Sequence, residues 1–437
     1  MTNKKKIIPE LRFPEFVNDG EWIIEPLSEV YSFKITNSFS RDKLNYKKGT
    51  VKNIHYGDIH TKFSTLFNIT KETVPYINSD VSIDRIDKDN YCVEGDIVFA
   101  DASEDLEDVG KSIEIVNLND EQLLAGLHTF LARQIEPKLI IGFGGYLFKS
   151  NSIRTQIKRE SQGAKVLGIS KGRISDIKIY YPKKKEEQQK IATCLSSLDD
   201  LIEAHNQKLE ALKVHKKGLM QNLFPQTGEK VPKLRFPDFV NNGEWISTEL
   251  DKIANIASGG TPSRAKKEYW NGSIPWVSTT LINFNRIEKS NEHITTLGLE
   301  KSSTKIFPKE TILMAMYGQG KTRGKVAVLN IDAAINQACA AIKLKKGMNT
   351  NFVFQNLSNR YDEIRSISNQ GGQENLSGTI IKKIPISYPD IKSGEQQKIA
   401  DLLSSLDNVI TTQENKIEQL KAHKIGLMQS LFPNHES

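Results

Sequence analysis

The chain has 437 residues, which by the usual size of a domain predicts about three domains. Its 60 Lys and Arg against 53 Asp and Glu give a net charge of +7, which permits a polyanionic partner without requiring one. Cys92, Cys194 and Cys339 form no CxxC or Cys/His cluster, so we expect reduced thiols in a cytoplasmic protein, and neither disulfides nor a metal site. The N-terminus has no apolar run, and 18 consecutive apolar residues occur nowhere, so we expect no signal peptide and no membrane span.

The first recognisable element along the chain is one copy of a duplicated segment. LRFPEFVNDGEWIIEPL at 11–27 recurs as LRFPDFVNNGEWISTEL at 234–250, with 12 of 17 positions identical at an offset of 223. Each copy precedes an insert, roughly 28–180 and 251–390, and the two inserts share little sequence. A repeated frame with two diverged inserts predicts one scaffold that presents two different recognition modules.

The first insert alternates strand-like segments with a late basic helix. Segments at 54–63, 95–105 and 123–133, which stand in the same order as segments of the second insert, precede a predicted helix at 144–161 and a polar loop at 162–176. This order predicts a small, strand-rich mixed α/β module.

A long helix is predicted after the first insert and again at the end of the chain. Residues 186–225 match 394–433 at 25 of 40 positions, at an offset of 208. In both copies apolar residues recur at alternating steps of four and three over about five heptads, which predicts a coiled-coil seam. The apolar seam positions are Ile191, Leu195, Leu198, Ile202, Leu209, Leu212, Leu219 and Leu223 in the first helix, and Ile399, Leu403, Leu406, Ile410, Ile417, Leu420, Leu427 and Leu431 in the second.

Polar residues interrupt both seams at matched places, His205 and Lys216 in the first and Gln413 and Lys424 in the second. If the helices pair antiparallel, one register sets His205 opposite Lys424 and Lys216 opposite Gln413, with residue numbers that sum to 629. The register with the longest overlap sums to 622 and sets these groups against aliphatic residues. A parallel homodimeric zipper and imperfect heptads near a frayed end remain as alternatives, and the sequence does not choose among them.

The second insert opens with a loop that presents basic and aromatic side chains. SGGTPSRAKKEYWNGSIPW (258–276) holds Gly and Pro residues that disfavour regular structure, beside Arg264, Lys266, Lys267, Tyr269 and Trp270. The rest runs through strand-like segments at 305–316, 324–331 and 338–344, a helical segment at 351–368 and a polar loop at 369–378. The order of elements is that of the first insert.

One segment of the second insert imitates a nucleotide-binding motif. AMYGQGKT (315–322) fits a loose phosphate-loop pattern with Ala at the first glycine position. A phosphate-binding loop must open a helix, whereas RGKVAVLN follows here and predicts a strand. We therefore expect a hairpin that faces DNA.

Catalytic chemistry has no clear signature in this sequence. His55, His60 and His128 lie in the first insert among acidic residues, a pattern typical of loop histidines and solvated acids. Nucleophile-elbow, zinc-protease, dinucleotide-binding and methyltransferase motifs are absent, so we expect no catalytic and no metal-binding residues.

Together these segments resemble the specificity subunits of type I restriction–modification enzymes, over the whole chain. The resemblance is carried by GGTPSR (259–264) with YWNGSIPWV (269–277), by MAMYGQGKTRGKVAV (314–328) with AINQA (334–338), by IHYGDIHT (54–61), DIVFADASED (96–105) and AGLHT (125–129), and by EQQKIA in both long helices (187–192, 395–400).

The resemblance implies an α+β chain in which two small mixed α/β target-recognition domains are separated by two long antiparallel coiled-coil helices, with internal pseudo-two-fold symmetry. Its segments would be a first target-recognition domain at 1–182, a central conserved helix at 183–225, a second target-recognition domain at 226–390 and a C-terminal conserved helix at 391–437. Each domain would read one half of an asymmetric bipartite site on double-stranded DNA, and the helices would set the spacer.

The resemblance also implies partners and their cofactors. Two modification subunits with S-adenosylmethionine would methylate adenines, and two translocating nuclease subunits with ATP and Mg would restrict unmodified DNA. The chain itself would be non-catalytic, without a cofactor, in the bacterial cytoplasm. A coiled-coil scaffold that gathers protein partners without sequence-specific DNA binding is the alternative, and a nuclease fused to recognition modules is a third possibility.

Base recognition needs donors and acceptors at loop tips, and phosphate contacts need basic groups. On these grounds the DNA-binding candidates in the first insert are Tyr56, Asp58, His60, Lys62, Ser103, Lys111, Arg154, Lys158, Arg159, Lys165, Lys171 and Arg173. In the second insert they are Thr261, Ser263, Arg264, Lys266, Gln319, Lys321, Thr322 and Arg323.

Overall fold

A computed structural model of the chain describes residues 7–318, 321–367 and 375–434. Residue contacts divide it into two compact units, unit 1 (Met1–Asn206 and Lys416–Ser437) and unit 2 (Gln207–Asn415). Each unit contains one insert and a part of each long helix, so the chain is α+β as predicted. Across the described ranges, no helix combines the length and the apolar character that a membrane span requires.

Unit 1 is built mainly from short strands. Its elements are β1 (Ile23–Pro26), β2 (Tyr31–Lys34), β3 (Leu44–Asn45), β4 (Val51–Ile54), α1 (Tyr56–Thr61), β5 (Leu66–Asn68), β6 (Tyr76–Ile77), β7 (Ile97–Ala100), β8 (Ala102–Ser103), β9 (Ser112–Asn117), β10 (Gln122–Ala125), β11 (Thr129–Gln134), α2 (Phe143–Leu147), α3 (Asn151–Glu160), β12 (Leu167–Gly168), α4 (Lys171–Ser175) and β13 (Lys178–Tyr181). The long helix α5 (Lys185–Leu223) follows.

Unit 2 is likewise built mainly from short strands. It contains β14 (Ile246–Glu249), α6 (Leu250–Ile253), β15 (Ala254–Ser258), β16 (Trp270–Val277), β17 (Arg286–Ile287), β18 (Glu292–Ile294), α7 (Thr296–Glu300), β19 (Ile306–Phe307), β20 (Ile312–Ala315), β21 (Val326–Leu329), β22 (Ala333–Ile335), β23 (Cys339–Leu344), α8 (Thr350–Asn359), α9 (Tyr361–Ser366), α10 (Gly378–Lys382) and β24 (Pro385–Tyr388). The second long helix is α11 (Glu395–Leu431).

The two units repeat one five-stranded sheet although their inserts share little sequence. The strand order is β2-β11-β7-β9-β5 in unit 1 and β15-β23-β20-β21-β17 in unit 2. Each sheet is antiparallel except for its last pair, β5 with β9 and β17 with β21. All four residues of β7 and of β20 are buried, as expected for a strand packed on both faces.

The four-stranded sheets differ between the units. Unit 1 has the order β10-β4-β6-β3, whereas unit 2 has β18-β16-β22-β19. Both contain three strands in the same order, β6-β4-β10 and β18-β16-β22, with one antiparallel and one parallel pair. The fourth strand is where the modules diverge, because β3 pairs with β6 whereas β19 pairs with β22.

Several predicted elements are more broken than the sequence indicated. The predicted helix at 144–161 is split into α2 and α3, because Ser150 at the N-cap of α3 has an extended backbone. The helical segment at 351–368 is split into α8 and α9 at Arg360, and the polar loop at 162–176 contains β12 and α4. Of the polar loop at 369–378, residues 369–374 lie outside the described residues.

The duplicated LRFP segment forms an arm that holds both long helices within each unit. In arm 1 (residues 7–22) the Leu11 amide donates to the Ser430 carbonyl near the end of α11, at 2.9 Å. The Arg12 guanidinium donates from Nε and Nη2 to the two carboxylate oxygens of Glu187 at the start of α5, both at 2.8 Å. Its Nη1 donates to the Gly20 carbonyl at 2.7 Å. The arm thus ties the start of one helix to the end of the other.

Arm 2 (residues 230–245) makes the same contacts in unit 2. The Leu234 amide donates to the Asn222 carbonyl at 2.9 Å. Arg235 donates to both oxygens of Glu395 at 2.8 and 2.7 Å, and to the Gly243 carbonyl at 2.7 Å. These contacts explain why the two segments repeat with different offsets, because the arm and the helix it holds lie on opposite sides of an insert whose length differs.

The long helices pack antiparallel within each unit. In unit 1, Ile191 and Leu195 of α5 share a hydrophobic cluster with Leu427 and Leu431 of α11. In unit 2, Leu219 and Leu223 share a second cluster with Ile399 and Leu403. All 16 apolar residues of the predicted seam are buried or half-buried. The two clusters match the register with the longest overlap, in which the numbers of two facing residues sum to about 622.

Ion pairs identify the register of the helices. Lys424 pairs with Asp199 in unit 1, and Lys216 pairs with Asp407 in unit 2 at 2.5 Å. Both pairs have residue numbers that sum to 623, so the register that set Lys424 opposite His205 and Lys216 opposite Gln413 is wrong. The lysines do not end against aliphatic residues either, because each ammonium reaches an acid of the facing helix.

Candidate DNA-binding surfaces

In unit 1, a group of rings lies at the end of β4 where α1 begins. The Tyr56 ring meets His60 edge to face at 6.0 Å between centroids and His128 at 5.3 Å. His55 caps α1 by accepting a hydrogen bond from the Gly57 amide at 3.2 Å. Burial and the positive charge of Arg41 lower the pKa of His55, which therefore favours the neutral ring. Tyr56 is half-buried among these groups and keeps one side towards solvent.

His128 forms one wall of a groove beside these rings. Its backbone has φ of 57°, an unusual value for a residue with a side chain, and its Nδ1 lies 3.2 Å from Asp101. The groove has a volume of about 420 Å³, and Gln162 and Arg173 also line it. Burial raises the pKa of the Asp101 carboxyl group. Donors and acceptors of both kinds thus face one cavity.

Asp58 is buried in ion pairs within the protein and is not an exposed contact. Its side chain is 1% exposed, and it accepts hydrogen bonds from Arg41 at 2.7 and 3.0 Å and pairs with Lys62 at 2.9 Å. Burial alone would raise the pKa of Asp58, but the hydrogen bonds from Arg41 and Lys62 outweigh it and hold the pKa below its ordinary value. Asp58 therefore anchors two exposed cations, of which the sequence indicated only Lys62.

Other candidates of unit 1 brace the loop at 103–111. Lys111 donates to the His60 carbonyl at 2.7 Å, Arg154 to the Val109 carbonyl at 2.7 Å, and Lys158 pairs with Glu107 at 2.5 Å. Ser103, within β8, accepts from the Asp105 amide at 3.0 Å, and the His60 ring bonds the Ala102 carbonyl at 3.0 Å. These side chains are engaged within the protein.

Three basic candidates of unit 1 remain exposed. Arg159, Lys165 and Lys171 lie on α3, on the following loop and at the start of α4. Lys171 sits 5.3 Å from the centroid of the Phe33 ring. Of the basic candidates of unit 1, Arg173 on α4 is the one that lines the groove.

In unit 2, Arg264 lies flat on an aromatic platform. Its guanidinium carbon is 3.7 Å from the centroid of Trp270 and 5.0 Å from that of Trp276, and it pairs with Glu292. Arg264, Trp270 and Glu292 line a cavity of about 500 Å³ together with Asn291.

The loop before this platform is held by hydrogen bonds to residues that lie outside it. The Thr261 hydroxyl donates to the side-chain oxygen of Gln337, and the Ser263 carbonyl accepts from the Trp270 indole at 3.1 Å. Lys266 is exposed, with its ammonium 5.2 Å from the centroid of the Tyr269 ring. At Gly260 a Cβ would stand 2.3 Å from Ser303, so glycine is required for this close approach.

The predicted hairpin of the AMYGQGKT segment connects two antiparallel strands, β20 and β21, through the turn that contains Lys321. Lys321 is exposed and its carbonyl accepts from the Tyr361 hydroxyl at 2.6 Å, and Thr322 is half-buried. Arg323 is 6% exposed and donates to the Arg365 carbonyl at 3.1 Å, so it supports the turn from below. Gln319 lies outside the described residues. A strand follows the turn, as the sequence predicted, and not the helix that a phosphate-binding loop needs.

Sequence analysis missed several groups on both surfaces. The groups that were missed are distant along the chain from other residues of the same surface. They are Arg41, Gln162, Asn291, Glu292 and His293. Single polar residues of this kind carry no spacing signal. His128 and Asp101 were visible in the sequence but had the pattern of ordinary loop residues.

Both surfaces can offer hydrogen bonds to base edges and cations to phosphates. Over the described part of the chain, no group of three or more His, Cys, Asp or Glu residues is arranged to hold a metal ion. The surfaces also differ from each other, since unit 1 presents His, Asp, Gln and Arg whereas unit 2 presents an Arg stacked on Trp.

Comparison with known proteins agrees with this geometry. The sequence profile of the type I restriction modification DNA specificity domain matches residues 20–214 and again 242–422. The chain is 30% identical to the type I restriction enzyme MjaIX specificity subunit of Methanocaldococcus jannaschii, over 44% of this chain and 45% of that protein. It is 24% identical to the putative MjaX specificity subunit of the same organism, over 94% of this chain and 93% of that one.

Solved structures share the fold. A type I restriction-modification system S subunit from M. genitalium superposes with a TM-score of 0.58 at 15% identity, covering 98% of this chain and 100% of the other. A chain from a structure of the type I R-M system, solved to explain complex assembly and conformational transition, gives 0.59 at 13% identity, with 94% and 98% covered.

Proposed function

The chain belongs to the type I restriction modification DNA specificity family, and on this premise we propose that it recognises an asymmetric bipartite DNA site with one surface in each unit. The groove beside Tyr56, His128 and Arg173 would read one half, and the loop around Arg264 with the turn at Lys321 would read the other. The observation that supports this proposal is the pairing of a repeated frame with unlike surface chemistry. Two different half-sites need two different sets of donors and acceptors on one scaffold.

We further propose that the chain directs partner enzymes and performs no catalysis. Two modification subunits with S-adenosylmethionine would methylate adenines, and two restriction subunits with ATP and Mg would cleave unmodified DNA. The repeat supports two copies of each partner, because both units present the same arm and helix contacts. DNA as substrate supports the proposal that the chain acts in the bacterial cytoplasm.

The paired ends of each insert support the modular character of the two units. β1 pairs antiparallel with β13, so Pro26 lies beside Lys178 where the first insert enters and leaves the frame. β14 pairs in the same way with β24, and Glu249 lies beside Pro385. An insert that enters and leaves at adjacent residues can be replaced without a change in the length of the frame.

The experiment exchanges residues 28–180 for the corresponding insert of another family member. The chain is expressed with its modification subunits in a host without other adenine methylation, and the methylated motif is determined by sequencing. We expect the exchange to change one half of the motif and to leave the other half and the spacer unchanged. An unchanged motif, or a change in both halves, would contradict the proposal.

A further inference from the structure

Arg264 is held on a rigid platform and yet remains half-exposed. The Trp270 indole donates to the Ser263 carbonyl at 3.1 Å, and the buried Trp276 indole donates to the Gly260 carbonyl at 3.0 Å. The two rings meet edge to face at 5.1 Å. Each ring is therefore fixed by its own hydrogen bond. Because the guanidinium stacks on Trp270, the fixed ring also restricts the position of the guanidinium. Its side chain is 55% exposed.

Glu292 engages only one nitrogen of this guanidinium, Nη1. A guanidinium carries five N–H donors in one plane, so most of its donors have no acceptor among the residues that the structure describes. Stacking of one face and pairing at one end restrict rotation, so little conformational entropy remains to be lost when a planar acceptor binds.

The other arginines described in unit 2 lack this combination. Arg235 and Arg323 are each 6% exposed. Arg286 is engaged by Glu310 and Asn351, and Arg360 by Glu363 and the Pro385 carbonyl. Arg365 is half-buried and donates to the Tyr361 hydroxyl at 3.2 Å. No arginine described in unit 1 stacks on a tryptophan, so this device distinguishes the surface of unit 2.

We propose that Arg264 recognises one guanine of the half-site read by unit 2, through two hydrogen bonds to O6 and N7 in the major groove, and that Trp270 is its positioning residue. This inference rests on the proposed function. Guanine offers two adjacent acceptors in the plane of the base, which match two donors of a planar guanidinium. A phosphate can also accept two hydrogen bonds from a guanidinium, but the exposed Lys266 and Lys267 beside Arg264 already supply charge for phosphate contacts without a platform.

The major groove is favoured over the minor groove by the shape of the site. An arginine that enters a narrow minor groove must extend from its surface. Arg264 instead stacks over Trp270 within a cavity that Asn291 and Glu292 help to line, and its side chain remains 55% exposed. A guanidinium held on its platform in this way suits the wide major groove, which admits protein elements.

The test uses the full chain with its modification subunits and a duplex that carries the methylated motif. Each guanine of the half-site assigned to unit 2 is replaced in turn by 7-deazaguanine, which lacks N7, or by hypoxanthine, which keeps O6 and N7 but lacks the minor-groove amino group. We expect one position at which 7-deazaguanine weakens binding about 10-fold, as for loss of one hydrogen bond to a charged group, while hypoxanthine has little effect.

Variants then assign this effect to Arg264. With Arg264→Ala the loss is already present, so 7-deazaguanine should cause no further change at that position. Arg264→Lys should keep salt-dependent binding but lose the preference for guanine. Trp270→Ala should lower that preference, and Trp270→Phe should restore most of it. A purely structural role would alter thermal stability instead, without changing the response to N7.

Arg286→Ala is the matched control, because Arg286 pairs with an acid in the same unit but stacks on no tryptophan. It should respond to 7-deazaguanine as the unaltered chain does. Binding of the motif without any response to 7-deazaguanine, or an equal response in Arg264→Ala, would overturn the inference alone. Equal binding of the motif and of a scrambled duplex would overturn the proposed function and the inference with it.

Discussion

Arg12 of arm 1 and Glu187 at the start of α5 form a two-fold hydrogen-bonded ion pair, with side chains 6% and 1% exposed. Arg235 and Glu395 repeat it in unit 2, at 6% and 0%. The Arg of the LRFP motif and the Glu of EQQKIA therefore form one structural contact. They are 175 residues apart in unit 1 and 160 residues apart in unit 2. This contact explains their joint duplication without reference to DNA.

Removal of Arg12 should destabilise unit 1. Arg12→Ala leaves a buried Glu187 carboxylate without its cationic partner, which costs about 3–5 kcal/mol of unfolding free energy. Lys190→Ala is the control, since Lys190 pairs with Glu15 between the same two elements but at the surface, and should cost less than about 1 kcal/mol. Urea denaturation measures both, and equal effects would show that the arm does not hold the helix.

The ion pair of Lys424 with Asp199 should depend on the register of the helices. Lys424→Asp should lower the stability of unit 1, and the double change Lys424→Asp with Asp199→Lys should recover part of it. We expect a coupling of about 1 kcal/mol, because Asp199 is 39% exposed and water screens the pair. A double-mutant cycle measures the coupling. Lys421→Ala, which breaks an exposed pair on the same helix, serves as the control.

Glu114 should make the stability of unit 1 depend on pH. Burial raises the pKa of this carboxyl group to about 7, against hydrogen bonds from the Gly145 and Gly142 amides that lower it. Because the folded pKa lies above the unfolded value of 4.5, the native state binds the extra proton between these values. Unfolding free energy should therefore fall by about 3 kcal/mol as pH rises from about 4.5 to about 7, and then level off.

Glu114→Gln should remove most of this slope, as thermal or urea unfolding at several pH values would show. Unit 2 has Val328 on the strand that corresponds to β9, and it supplies the internal comparison. A slope that persists in Glu114→Gln would assign the titration to another group.

Arg173→Ala and Arg264→Ala should each affect one half of the target. Arg173 lines the groove of unit 1, and Arg264 lines the cavity of unit 2. Binding to duplexes with one altered half-site should show that each variant loses discrimination in its own half, by about 1–3 kcal/mol per base contact. Equal losses in both halves would contradict assignment of these residues to separate surfaces.

The fold could be predicted further than the sites. Heptad spacing indicated the seam of α5 and α11, because burial of an apolar stripe leaves a periodic trace in the sequence. It could not select the register, since apolar residues recur every seven positions and several offsets bury them equally well. Side chains of the two inserts also help to select the register of the helices. Tyr146 donates to Asp199 at 2.7 Å, and Gln355 donates to Asp407 at 2.6 Å.

Prediction of the candidate sites from the sequence had the same limit. Arg264 could be found from a basic, glycine-rich loop, but Glu292 stands 28 residues further on and has no motif. Asp58 had the appearance of an exposed contact, and the structure buries it between Arg41 and Lys62. Contacts between distant loops leave no spacing pattern, so these roles became visible only after folding.

By itself the amino-acid sequence determined the duplication, the two long helices, the strand-rich character of the inserts and the family, because repeats and periodicity are local properties that residue order records. Tertiary structure decided which acid each lysine and arginine meets, how the helices are aligned, and which side chains remain available for DNA. The physical reason is that burial and charge pairing depend on which distant segments come into contact, and one chain offers many partners for each group until packing selects one.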